Sequence, residues 1–156
     1  MPQAERRITP ADIMPLDRYR AERKAIRARI VALKQTRRVE VGPYATFYFE
    51  NWDTMWSQIQ EMLYIEKGGE EQLRDEMRAY NPLIPQGAEL VATLMFEIDD
   101  PLRRGNILAR LGGVEETMFI QVGDDKIMAE PEQDVDRTTA DGKTSSVHFL
   151  HFRFAP

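Results

Sequence analysis

The chain has 156 residues, 42% hydrophobic and 30% charged, with a formal net charge of −5. That is the length of one domain, enough to bury a core without staples. The absence of cysteine excludes disulfides, thiolate catalysis and cysteine-held zinc or iron–sulfur sites, and only His148 and His151 could give a metal an imidazole. No apolar run approaches the roughly 20 residues of a membrane helix. The polar start, with Arg6 and Arg7, does not read as a secretory signal, so a cytoplasmic location without a membrane partner is expected.

In chain order, Thr9-Pro10-Ala11-Asp12 has the form of a helix start, with Thr9 as cap and Pro10 at the first helical position. Pro15 ends this short turn. A long helix is predicted over about 17–35, with Tyr19, Ile26, Ile30 and Leu33 on one stripe. Residues 39–50 read as a strand that Gly42-Pro43 bends or bulges. Asn51 to Thr54 supply caps for a second helix over about 53–66. Its apolar face is Trp52, Met55, Trp56, Ile59, Met62 and Leu63, and Gly68-Gly69 closes it. A third helix runs to about Tyr80 and stops at Asn81-Pro82.

Residues 90–98 alternate as a strand, with Leu90, Ala92, Leu94, Phe96 and Ile98 on one face and Val91, Thr93, Met95 and Glu97 on the other. A short helix is expected over 101–111. Strands follow at about 116–122, 126–129 and 145–154, with turns at Gly123-Asp124-Asp125 and Asp141-Gly142-Lys143. Residues 1–8 and 130–144 have the polar character of mobile segments. Helices early and strands late predict an α+β fold: one domain, with an antiparallel or mixed sheet of about four to six strands and the N-terminal and central helices packed on it.

Several segments resemble one bacterial family. They include Ile13-Met14-Pro15-Leu16, Leu33-Lys34-Gln35-Thr36-Arg37-Arg38-Val39, Val41-Gly42-Pro43-Tyr44-Ala45-Thr46-Phe47, Phe49-Glu50-Asn51, Gln58-Ile59-Gln60-Glu61-Met62-Leu63, Tyr80-Asn81-Pro82-Leu83-Ile84-Pro85 and Ala92-Thr93-Leu94-Met95. Together, over residues 8 to about 125, the chain resembles the family catalogued as domain of unknown function 3501. Members tend to lie beside genes for rubrerythrin-like and iron–sulfur oxidoreductases. By analogy, the resemblance implies a place near redox or oxidative-stress metabolism, with a redox protein as partner. It gives no residue a chemical task.

Four constellations carry the functional reading. First, alternation along 44–50 puts Tyr44, Thr46, Tyr48 and Glu50 on one face, comparable with Thr93, Met95 and Glu97. If those faces coincide, Glu50 and Glu97 are the candidate catalytic carboxylates, with Arg38, Tyr44 and Tyr48 orienting an anionic ligand. The plain alternative is a half-solvated sheet face. Second, Asn51, Gln58 and Glu61 are candidate ligand-binding residues at and along the second helix, although capping alone accounts for Asn51. Tyr64 and Ile65 lie on the far side of that helix and call for a cover such as a second subunit, so a homodimer is expected. Glu66 falls within the apolar stripe and must pair or reach the rim.

Third, residues 18–38 carry nine basic side chains, and 115–141 are acidic. Arg20, Arg23, Lys24, Arg27 and Lys34 form a stripe that phosphate or nucleic acid would suit. The net negative charge and the lack of interleaved aromatics disfavour nucleic acid. Pairing in cis with Glu66, Glu70, Glu71, Asp75 and Glu76 would neutralise the stripe. Fourth, the odd spacing of His148 and His151 puts them on opposite faces of a strand, where they cannot share a metal, and no metal ligand set is assigned. His151, sharing a face with Arg153, is a candidate titrating group. Nucleotide-cradling loops, a serine nucleophile elbow and a His-Glu-x-x-His motif are missing, and the cofactor is open. The expected function is therefore a non-enzymatic accessory or binding protein. The alternative is a small carboxylate-based enzyme, or a metal-binding protein, acting on a small anion.

Overall fold

A computed structural model of the protein describes residues 6–132 and 146–154. These form two compact units, Met1–Arg37 with Glu50–Gln86, and Arg38–Phe49 with Gly87–Pro156. The fold is mixed α+β, as the sequence predicts.

The first unit is helical. α1 spans Leu16–Gln35, α2 Trp52–Glu66 and α3 Gly69–Tyr80. Their apolar stripes become the interior: Tyr19, Ile26 and Ile30 of α1 are buried, as are Met55, Trp56, Ile59 and Leu63 of α2. Burying each such side chain stabilises the fold by roughly 1.5–3 kcal/mol. The Tyr19 ring stands edge-on to Trp56 and Tyr64, at centroid separations of 6.4 and 5.8 Å. Gln60, fully buried within α2, accepts from the Met14 N–H at 3.0 Å and donates to the Met14 carbonyl at 3.1 Å. It thereby satisfies both polar groups of a chain segment that has no helix or sheet to satisfy them. Ile8, in the polar start, is buried, and its N–H donates to Asn81 Oδ1 at 2.7 Å.

The second unit is a five-stranded antiparallel sheet in the order β1-β2-β3-β7-β6, with a separate β4-β5 hairpin. The strands are β1 Arg38–Val41, β2 Ala45–Phe49, β3 Glu89–Phe96, β4 Phe119–Val122, β5 Asp125–Met128, β6 Glu130–Pro131 and β7 Val147–Arg153. One sheet face carries Phe47, Ala92, Leu94, Phe96, Leu150 and Phe152. Leu108 of α4 (Pro101–Leu108) and Ala129 join this core, and Ile120 and Ile127 of the hairpin pack against it.

Two details differ from the sequence expectation. The single bent strand over 39–50 is a hairpin: at Gly42, φ +66° turns the chain back, and Val41 pairs with Ala45. Pro43 within the turn costs no ladder hydrogen bond there. The strand expected from 116 starts at Phe119, because residues Val114–Glu116 form a 3-10 turn. The expected turn at Asp141-Gly142-Lys143 lies outside the described residues.

Candidate functional site

The basic stripe of α1 lines a groove. Its walls are Arg20, Arg23, Lys24 and Arg27, with Tyr64 of α2, around an open volume of about 380 Å³. The helical period places residues 20, 23, 24 and 27 on one face. Glu61, one turn before Ile65 on α2, anchors Arg23 from beside the groove. It accepts from Tyr19 Oη at 2.9 Å and from Arg23 Nε at 3.0 Å, and Arg27 Nε lies 3.7 Å away. A second Arg23 nitrogen reaches the other carboxylate oxygen at 3.1 Å, a two-pronged geometry that fixes the guanidinium. The same guanidinium lies 4.6 Å from the Tyr64 ring centroid, a cation–π contact.

Charge follows from this geometry. Partial burial opposes ionisation of Glu61, but the hydrogen bonds from Arg23 and Tyr19 outweigh it and hold its carboxyl below the ordinary value. Burial first, and then the Glu61 carboxylate, push the Tyr19 phenol well up, so it remains a donor. Two of the four groove cations, Arg23 and Arg27, thus pair with one carboxylate. Arg20 and Lys24 are exposed and make no ion pair among the described residues. Of the acidic residues expected to neutralise the stripe, Glu66, Asp75 and Glu76 have other partners, Glu76 accepting from Gln72 at 3.5 Å. Glu66, exposed at the end of α2, accepts from Gln72 at 3.0 Å, and Asp75 pairs with Arg78 at 3.7 Å.

The other sequence candidates fall into separate groups. Asn51 caps α2: its side chain accepts from Thr54 N–H at 2.9 Å, and its own N–H donates to Thr54 Oγ1 at 2.9 Å. Glu50, buried, accepts from the same Thr54 hydroxyl at 2.8 Å. Gln58 Nε2 donates to Tyr80 Oη at 3.3 Å. These contacts organise the start of α2 and its packing with α3. On the sheet, Tyr48 Oη donates to the exposed Glu97 at 2.8 Å, and the Arg38 guanidinium lies 5.7 Å from the Tyr48 ring. Arg38 also bonds Glu40 at 2.6 Å. Glu97 N–H donates to the Tyr44 carbonyl at 2.7 Å. The sheet therefore joins Arg38, Tyr48 and Glu97, with Tyr44 contributing its backbone carbonyl, and the Glu50 carboxylate bonds the helix-capping Thr54.

A model of the family described as Protein of unknown function (DUF3501) matches residues 7–156. The chain belongs to this family. No curated protein matches it. Among solved structures, a novel protein of unknown function from Burkholderia pseudomallei is 37% identical, with a TM-score of 0.88, over 96% of this chain and 78% of that one. The DUF3501 match runs past the segments that carried the resemblance, into β4 to β7. Among the described residues of this DUF3501 protein, no helix is long and apolar enough to cross a membrane.

One cluster in this DUF3501 chain was only half visible in its sequence. On the sheet face opposite the core, buried His151 lies between two carboxylates, with Nε2 2.6 Å from Glu132 and Nδ1 3.4 Å from Glu89. Arg153 contacts Glu89 at 3.4 Å and bonds Glu130. Alternation along β7 unites His151 with Arg153 and sends His148 to the other face, where its ring stands edge-on to Phe96. The glutamates come from β3, β6 and the residues after β6, and only strand order joins them. No group of three or more His, Asp or Glu side chains among the described residues is arranged to hold a metal. Here the two ring nitrogens face different carboxylates, which opposes chelation through this imidazole.

Proposed function

We propose that this protein is a non-catalytic binding protein that docks an acidic partner protein in the α1 groove. The observation that carries this reading is the local excess of positive charge, four cations lining one groove with only Arg23 and Arg27 paired to a carboxylate, on a chain whose net charge is −5. Arg23 is set in place by Glu61 and Arg27 lies within ion-pair reach of it, while Arg20 and Lys24 project beside them with their donors open to a ligand. Opposed charge of this kind steers encounter and fixes register. An acidic protein surface fits better than nucleic acid, because the rest of the chain would repel a long polyanion. The family's setting beside redox enzymes makes an acidic redox protein the partner we favour, with the cytoplasm as its compartment.

The test is anisotropy of a fluorescent polyglutamate peptide titrated with the full chain, beside an oligonucleotide of equal charge. Binding of the peptide that weakens with salt, and at least a tenfold loss in Arg20→Glu/Lys24→Glu, about 1.4 kcal/mol, is the expected result. No peptide binding, or tighter binding of the oligonucleotide, would overturn it.

A small enzyme is the second reading. His151 favours it more than the Glu50 and Glu97 pair does, since an imidazole held between carboxylates is arranged for proton transfer. It predicts turnover of a small anion that His151→Gln abolishes while the groove variants retain it.

A further inference from the structure

The two edges of the five-stranded sheet are finished differently. β6 is two residues long and contains Pro131, which has no N–H to offer a neighbour, and its Glu130 is held by Arg153. That edge is closed to strand addition. β1 contains no proline, all four of its residues are exposed, and among the described residues it has a strand partner on one side only. Its backbone therefore presents donors and acceptors outward. Val39 and Val41, 49% and 51% exposed, extend the apolar face of the sheet to this rim.

We propose that β1 is a self-association edge, at which a second copy of this chain adds its own β1 antiparallel across a twofold axis. The sequence Arg38-Val39-Glu40 is self-complementary in that arrangement. With Val39 opposite Val39 of the second copy, each Arg38 faces the other copy's Glu40 on the polar side of the sheet. The valines meet on the apolar side, as cross-strand pairs do. Arg38 and Glu40 already bond at 2.6 Å within one chain. Pairing therefore closes a ring of four alternating charges, and no like charges are brought together. A shift by one residue would put Arg38 opposite Val41 and lose both charge pairs, so the register is specified. A four-residue edge is smaller than the roughly 1,000 Å² typical of stable interfaces, so the dimer is weak and concentration-dependent. This association uses none of the α1 groove residues and stands apart from the binding function proposed above.

Charge reversal decides the matter. Sedimentation of the full chain at low salt, from micromolar to near-millimolar concentration, is expected to show wild type moving from monomer toward dimer. Arg38→Glu and Glu40→Arg, each alone, place like charges opposite each other and should remain monomeric throughout. An equimolar mixture of the two variants restores two opposite-charge pairs and should form a heterodimer, which also shows that both variants are folded. A wild type that stays monomeric would overturn the proposal. So would single variants that associate as wild type does, or a mixture that fails to associate.

Discussion

Glu61 sits where α1 and α2 meet, and its environment makes its charge state a stability determinant. Its folded pKa lies below the ordinary value of 4.5, so its network contributes fully above that value and is lost as pH falls through the depressed one. The difference in unfolding free energy between wild type and Glu61→Gln should be constant above roughly pH 6 and shrink on acidification. Urea melts at a series of pH values measure it, and a pH-independent difference would contradict the assignment. Tyr19→Phe removes one hydrogen bond to that carboxylate and keeps the ring contacts, so a loss of about 1 kcal/mol is expected in the same assay. Gln60→Leu is predicted to cost more, roughly 2–4 kcal/mol, because it strands both the N–H and the carbonyl of Met14. None of these three roles can be read from the local sequence. Each joins residues about forty positions apart, and a helical wheel shows only that Glu61 leaves the apolar stripe.

At the level of elements the sequence was far more legible, because helix and strand periods are local. The stripes of α1 and α2 predicted most of their buried residues, and the alternation of β3 placed Ala92, Leu94 and Phe96 correctly, but Leu90 at the strand's start is exposed and Val91 on the opposite face is buried, because that face is covered as well. The cap at Asn51 was visible too, and Asn51→Ala should lower thermal stability by about 1 kcal/mol. What ends α2 was less visible. Gly68-Gly69 marks the place, but the left-handed cap residue is Lys67, at φ 54°. A side chain there is strained, so Lys67→Gly is expected to stabilise the protein by about 1 kcal/mol, and an unchanged or lower melting temperature would contradict this. The sequence of the β1-β2 hairpin predicts one bent strand instead, since a turn and a bend share the same Gly-Pro signal and only pairing distinguishes them. Strand order, invisible to periodicity, likewise decided the neighbours of His151. It also left Tyr48 with Glu97, whereas capping claimed Glu50. Tyr64, read as a surface awaiting a second subunit, is in contact with Tyr19 and Arg23 of its own chain.

For the molecule as a whole, charge distribution carries the functional argument. A chain of net charge −5 keeps a cationic groove on one helix, where Glu61 balances only part of the positive charge. On the function proposed above, such an arrangement would recruit an acidic surface. The most direct test is to map backbone amide shifts while the unlabelled polyglutamate peptide is added to isotope-labelled protein. The account predicts that the largest changes fall on Arg20, Arg23, Lys24, Arg27 and Tyr64 and are suppressed by salt. Changes centred on His151 and Arg153, or none along α1, would contradict it.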